Sequence, residues 1–252
     1  MRLLVRLAWV EAKLFLREPL TVIFTFAFPF FMLVVLAGVF GNDVDFSDPE
    51  DIKAWTGVGP VDYYAPAYVA LVIASVGLVA LPLRLATYRE RGVLRRFRAA
   101  GFPLSAVLGS QVVVAIALVV IGGTGITLAA RFFYGAGLPE SWPLVFAAFA
   151  LGAICFSAIG IALGAVLPSS RAAQGAGIIL FFVMMMLGGA GPPRGVLSDA
   201  MRWISDPLPF THVVLTMQDP WLRAQWDWPA TAMVVAFTAG ATIVAARFFR
   251  WE

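Results

Sequence analysis

The chain reads as an all-α polytopic membrane protein that crosses the bilayer six times, and three observations lead there. Of its 252 residues 61% are hydrophobic and only 13% are charged, with a mean hydropathy of +0.87, well beyond the roughly 45–50% apolar content of soluble domains. Six segments of about 20 residues, the length that carries a helix across ~30 Å of hydrocarbon, contain no Asp, Glu, Lys, Arg or His. Each is continuously apolar rather than alternating, the pattern of a helix and not of a barrel strand.

The segments are Leu20–Phe40, Tyr64–Leu83, Leu104–Ala130, Pro143–Leu167, Ala172–Gly191 and Trp228–Ala246, and residues 1–252 form one transmembrane domain. Before the first, residues 1–18 predict a helix with Leu3, Leu7, Val10 and Leu14 on one stripe and Arg2, Arg6, Lys13 and Arg17 on a stripe beside it. Such a helix suits the membrane interface, cations toward anionic lipid, although the same charges also serve to set topology. The first segment is no cleavable signal: its apolar core of 21 residues exceeds the usual 7–15 or so, and no clear A-x-A site follows.

Orientation follows from lysine and arginine. With the N-terminus inside, 13 of the 18 basic residues lie on the inner side, leaving Lys53, Arg131, Arg194, Arg202 and Arg223 outside, while 11 of the 15 acids lie outside. Both termini are therefore expected in the cytoplasm of a multi-pass cell-membrane protein.

Between the second and third segments, Arg84, Arg89, Arg91, Arg95, Arg96 and Arg98 face a single acid, Glu90. Read as one helix over 88–102, Arg91, Arg95 and Arg98 share a face, and Val93, Leu94, Phe97, Ala100 and Gly101 fill the other. Pro103 cannot continue that helix comfortably, so the third span begins afresh. Orientation alone needs no apolar face; an exposed Leu94 and Phe97 predict contact with lipid or with a groove on a cytoplasmic partner. Residues 192–227, rich in proline, form an outer helical segment before the last span.

Other residues have plain explanations. Cys155 is the single cysteine and His212 the single histidine, so neither a disulfide framework nor a clustered metal site is expected. Gly160 and Gly164 form a G-x-x-x-G that permits close helix approach, within the chain or against a second copy. Met184, Met185 and Met186 could adapt to varied substrates, but three consecutive residues face three directions. Pro29 and Pro82 are the clearest breaks within spans, and Ser169 or Ser170 can cap the fifth.

The stretch YRERGVLRRFRAAGFPLS, residues 88–105, resembles the cytoplasmic segment after the second span in type-2 permeases of ATP-binding cassette (ABC) exporters, which move drugs, antibiotics, lipids and polysaccharides. Arg89, Glu90, Gly92, Leu94, Arg95, Ala99, Pro103 and Leu104 match, whereas members more often carry Thr-Pro where Gly101-Phe102-Pro103 stands. The interfacial N-terminal helix and the outer segment after the fifth span are similar in layout to that family's, in which the outer helices are partly re-entrant. The resemblance implies a membrane subunit coupled to a cytoplasmic ABC ATPase through Arg89, Glu90, Gly92, Leu94, Arg95 and Phe97, with Ser169 and Ser170 nearby. It also implies two ATPase copies, a second permease copy as homodimer or heterodimer, and ATP and Mg bound by the ATPase. No cofactor is expected in this chain, which has no G-x-x-x-x-G-K-[ST]. The alternatives are an accessory or structural membrane protein without transport activity, and an intramembrane enzyme, for which clustered His, Cys, Asp or Glu at depth is wanting.

Overall fold

The computed structural model describes residue 13, residues 17–43 and residues 47–249. The helix expected over residues 1–18 falls almost wholly outside them. Among the described residues the chain is helical, without strands, and six helices are long and apolar enough to cross a membrane. These are Ile23–Phe40, a helix within Pro49–Glu90, Ala106–Tyr134, Trp142–Val166, Ser170–Leu187 and Trp228–Phe248, called here spans one to six.

The second span is the axis of the bundle. Of its apolar window 94% is buried inside the protein, against 11% for the sixth. It runs from Pro60–Ser75 through a π-helical turn, Val76–Ala80, into Leu81–Glu90, and so passes beyond the end expected at Leu83. Arg84, expected in the connecting loop, is therefore built into the helix and is only 4% exposed. Hydropathy alone ends the span at the first charge, whereas the backbone hydrogen bonds continue.

The two prolines foreseen as breaks each follow a π turn, Ile23–Ala27 before Pro29 and Val76–Ala80 before Pro82. Proline has no N–H to give and its ring crowds the carbonyl four residues back, which a locally wider turn relieves. For Pro82 that carbonyl belongs to Leu78, and here Gly177 of span five lies so close that a Cβ would strike it. Gly160 of span four approaches the Gly77 carbonyl in the same way, and a Cβ on Gly164 would sit 2.8 Å from that of Leu85. The G-x-x-x-G is thus used within the chain, letting two backbones close on the π turn.

Outside this axis the protein presents large apolar side chains such as Phe31, Ile121, Phe132, Phe146 and Ile179, all exposed. Apolar surface on this scale is solvated by lipid, not water.

One end of the bundle is closed by a cap of short helices: Pro49–Trp55, Asp199–Ser205 and the longer Pro209–Arg223. Trp55 is buried edge-on against Phe40, Tyr63 and Tyr64. The Tyr64 hydroxyl donates to the Gly191 carbonyl (2.7 Å), and the Arg194 N–H donates to the Tyr63 hydroxyl (3.2 Å). The Arg194 guanidinium reaches Ser205 (3.0 Å) and Asp206 (2.8 Å), and Ser205 donates to Leu187 (2.7 Å) at the end of span five. Asn42 accepts the N–H groups of Val61 and Asp62, Asp62 accepts from Gly137 (2.6 Å), and Gln218 donates to the Tyr63 carbonyl (3.1 Å). His212 binds the Asp206 carbonyl through Nε2 (2.7 Å), in the first turn of its helix. Asp219, in the cap, has its carboxyl raised above the usual range by partial burial, against the pull of Arg223.

Candidate functional site at the arginine-rich end

At the other end, the 88–102 segment is two pieces and not the single helix its periodicity predicts. The second span ends at Glu90, Gly92 takes a left-handed conformation (φ 64°), and a short helix follows over Val93–Ala99. Glycine carries no Cβ and enters that region freely, which allows the sharp change of direction.

Just before the break, two adjacent residues of opposite charge terminate two other spans. Arg89 donates to the Gly164 carbonyl (3.3 Å), the Ala165 carbonyl (3.0 Å) and the Leu167 carbonyl, where span four ends and its last carbonyls lack helical partners. Glu90 accepts the Ser170 N–H (2.9 Å) and the Ser170 hydroxyl (2.6 Å), where span five begins. Ser169 caps that span, its hydroxyl accepting from Ala172 N–H (3.1 Å). A cation at a helix C-terminus and a carboxylate at an N-terminus each complement the helix dipole. The pair is a clamp that fixes the end of the second span, from which the short helix departs, to the turn between spans four and five.

The apolar face of the short helix is spent within the chain. Leu94 is 1% exposed, packed with Tyr88 and Val107 and flanked by Val93, Phe97, Phe102 and Phe249. The Phe97 ring lies 5.5 Å from that of Phe102 and 6.5 Å from that of Tyr88, between centroids. The expectation of an exposed Leu94 ready for a partner groove is corrected: its own protein already supplies the groove. Phe97 is half-buried. Facing away, Arg91, Arg95, Arg96 and Arg98 are exposed and present an outward cationic surface.

The structure thus brings Arg89, Glu90, Ser169 and Ser170 together at the clamp and Leu94 with Phe97 in the apolar cluster, joined through Gly92, and leaves Arg95 outside both. Two residues escaped sequence reasoning. Arg84 and Gln111, buried at 4% and 1% exposure, line one cavity with Val76, Ala80, Leu81 and Val114 beside the π turn. Polar groups at membrane depth are costly, and intramembrane arginine marks a functional position more often than an incidental one. The signal was a charge one residue past the apolar run and a glutamine within the third span. Among the described residues no group of three or more His, Cys, Asp or Glu could hold a metal ion.

The arrangement joins the end of the second span, where the short helix departs, to the ends of spans four and five. No curated protein gives a significant match to this sequence. The ABC-2 type transporter family matches residues 2–219, most of its length, so the chain belongs to that family as its transmembrane permease part and not its ATPase.

Proposed function

We propose that this permease serves an ATP-driven exporter, pairing with a second permease copy and with two cytoplasmic ABC ATPase subunits that bind ATP and Mg. Members of the family generally pair with such ATPases. The observation that carries the proposal is the clamp: Arg89 and Glu90, at the end of span two just before the Val93–Ala99 helix, tie that end to the facing ends of spans four and five. A push on the exposed arginines is thereby passed to two spans at once. The arginine-rich end is the cytoplasmic one, in keeping with the partition of basic residues, and both termini share that side. The short helices after span five cap the outer side, with Pro209–Arg223 as a re-entrant element. The substrate is hydrophobic or amphipathic, a drug, antibiotic, lipid or lipid-linked glycan, moved out of the cytoplasm or inner leaflet.

The test is a reporter scan followed by reconstitution. Fusions near Asp48, Gly137 and Arg202 should report outside, and those near Arg96, Ser170 and Glu252 inside. The purified chain should hydrolyse no ATP alone and support nucleotide-dependent transport only with an ABC ATPase. An outside signal at Arg96, or transport by the chain alone, refutes the proposal.

A further inference from the structure

Spans three and six both lean on span four, and near the arginine-rich end they leave a groove between them. Its volume is about 400 Å³, within the roughly 300–1,000 Å³ typical of small-ligand sites. Span four supplies the floor with Ile154, Ser157, Ala158 and Ile161, spaced three and four apart on one helical stripe. Thr242, Ala245, Ala246 and Phe249 form the matching stripe at the end of span six, and Leu108 and Val112 close the side from span three. Seven residues of helix advance about 10 Å, a third of the ~30 Å hydrocarbon core.

The chemistry of the lining selects its occupant. No lining residue is charged, and the only polar groups are two hydroxyls, of which that of Thr242 is donated to the Thr238 carbonyl (2.7 Å). A headgroup, a nucleotide or an ion finds nothing here to bind. The groove opens on the lipid-facing side, where Ile154 is 48% exposed, so what reaches it comes from the bilayer. Small residues, Ala158, Ala245 and Ala246, leave the depth that a flexible methylene chain fills and a bulkier helix ridge would not. We propose that this groove is a binding site for one acyl chain of a lipid in the leaflet at the arginine-rich end. The site recognises the chain and not the headgroup. Phe249 forms its end wall and also packs beside Leu94, so the bound chain lies against the cluster that seats the short helix. The proposal rests on the protein's spanning a membrane and not on export.

The purified protein is placed in phosphatidylcholine vesicles containing a phosphatidylcholine with a photoactivatable group in mid-chain, and adducts are mapped by mass spectrometry. Adducts on residues 154–161 and 242–249 should exceed those on exposed Phe146 and Ile179 by about tenfold, a preference of about 1.4 kcal/mol over bulk lipid. Ala158→Phe, which fills the groove, should abolish the excess while leaving the Phe146 adducts unchanged, so that a misfolded variant is recognised; Ala246→Phe supplies an independent filling. Replacing the headgroup by phosphatidylglycerol at constant chain should leave the pattern as it was. Equal labelling of groove and outer faces means bulk lipid only and overturns the proposal, as does an excess that survives both fillings or follows the headgroup. A disulfide-linked dimer of Ile154→Cys in a Cys155→Ser background would show a second copy covering the groove, and overturns it as well.

Discussion

The two ends of the bundle are held by different means. At the capped end the connecting segments are cross-tied: Asn42 to Val61 and Asp62, Asp62 to Gly137, Tyr64 to Gly191, Gln218 to Tyr63, and Arg194 to Ser205 and Asp206. Removing any one leaves the others in place. At the arginine-rich end, the short helix is seated by one small apolar cluster, and the end of span two that precedes it is held by the Arg89–Glu90 clamp. The contrast teaches that the first end is held by many independent ties and the second by a few named contacts, which is where the proposed coupling must act.

Substitutions that remove one contact at a time sharpen this contrast. Leu94→Asp should have the largest effect, because a carboxylate placed in the cluster without a partner costs several kcal/mol. The short helix should detach, seen as new protease cleavage within 88–102, while reporter fusions give unchanged topology. Leu94→Ala should do the same more weakly, by about 2–5 kcal/mol. Arg194→Ala at the capped end should lower thermal stability by roughly 1–2 kcal/mol, without altering cleavage at 88–102, since the remaining ties hold. Ser169→Ala removes the cap of span five and should cost about 1 kcal/mol, read as a small fall in melting temperature. Arg95→Ala should change stability by no more than about 0.5 kcal/mol, yet weaken co-purification with the ATPase if the exposed arginines form the docking surface. A stability loss for Arg95→Ala as large as that for Leu94→Ala would erase the distinction between the outward and inward faces.

Much of this was legible in the sequence because membranes impose a simple code. Uncharged runs of bilayer length predicted the six spans, and Pro29 and Pro82 marked where two of the helices widen, whereas Pro66 sits inside an α-helix without such a turn. The matching positions Arg89 and Glu90 stood out in the 88–105 stretch. Ser170 was picked out too, as a cap and as near the coupling residues, but its bond to Glu90 and the carbonyls that Arg89 meets were not, because they lie 75–80 residues away and periodicity reports only which residues share a face, not what that face meets. For the same reason Leu94 read as exposed: the amphipathic pattern was right, but the surface that covers it comes from Tyr88, Val107 and Phe249. Gly92 was visible, yet the apolar spacing runs across it and hid the break. Arg84 was assigned to a loop because a hydropathy run ends at a charge, whereas a helix ends where its hydrogen bonds do.

The central claim is that Arg89 and Glu90 transmit motion between the short helix and the ends of spans four and five. Its most direct test is the coupling of ATP hydrolysis to transport in the permease–ATPase complex reconstituted in vesicles, wild type against Arg89→Gln with Glu90→Gln. Glu90→Gln keeps the side-chain length and Arg89→Gln shortens it, and together they give up the charges that complement the two helix ends and the reach of the guanidinium to the span-four carbonyls. The account predicts a complex that still assembles and still hydrolyses ATP at its basal rate, with transport lost and substrate no longer stimulating hydrolysis. Transport per ATP equal to wild type in that variant would contradict it.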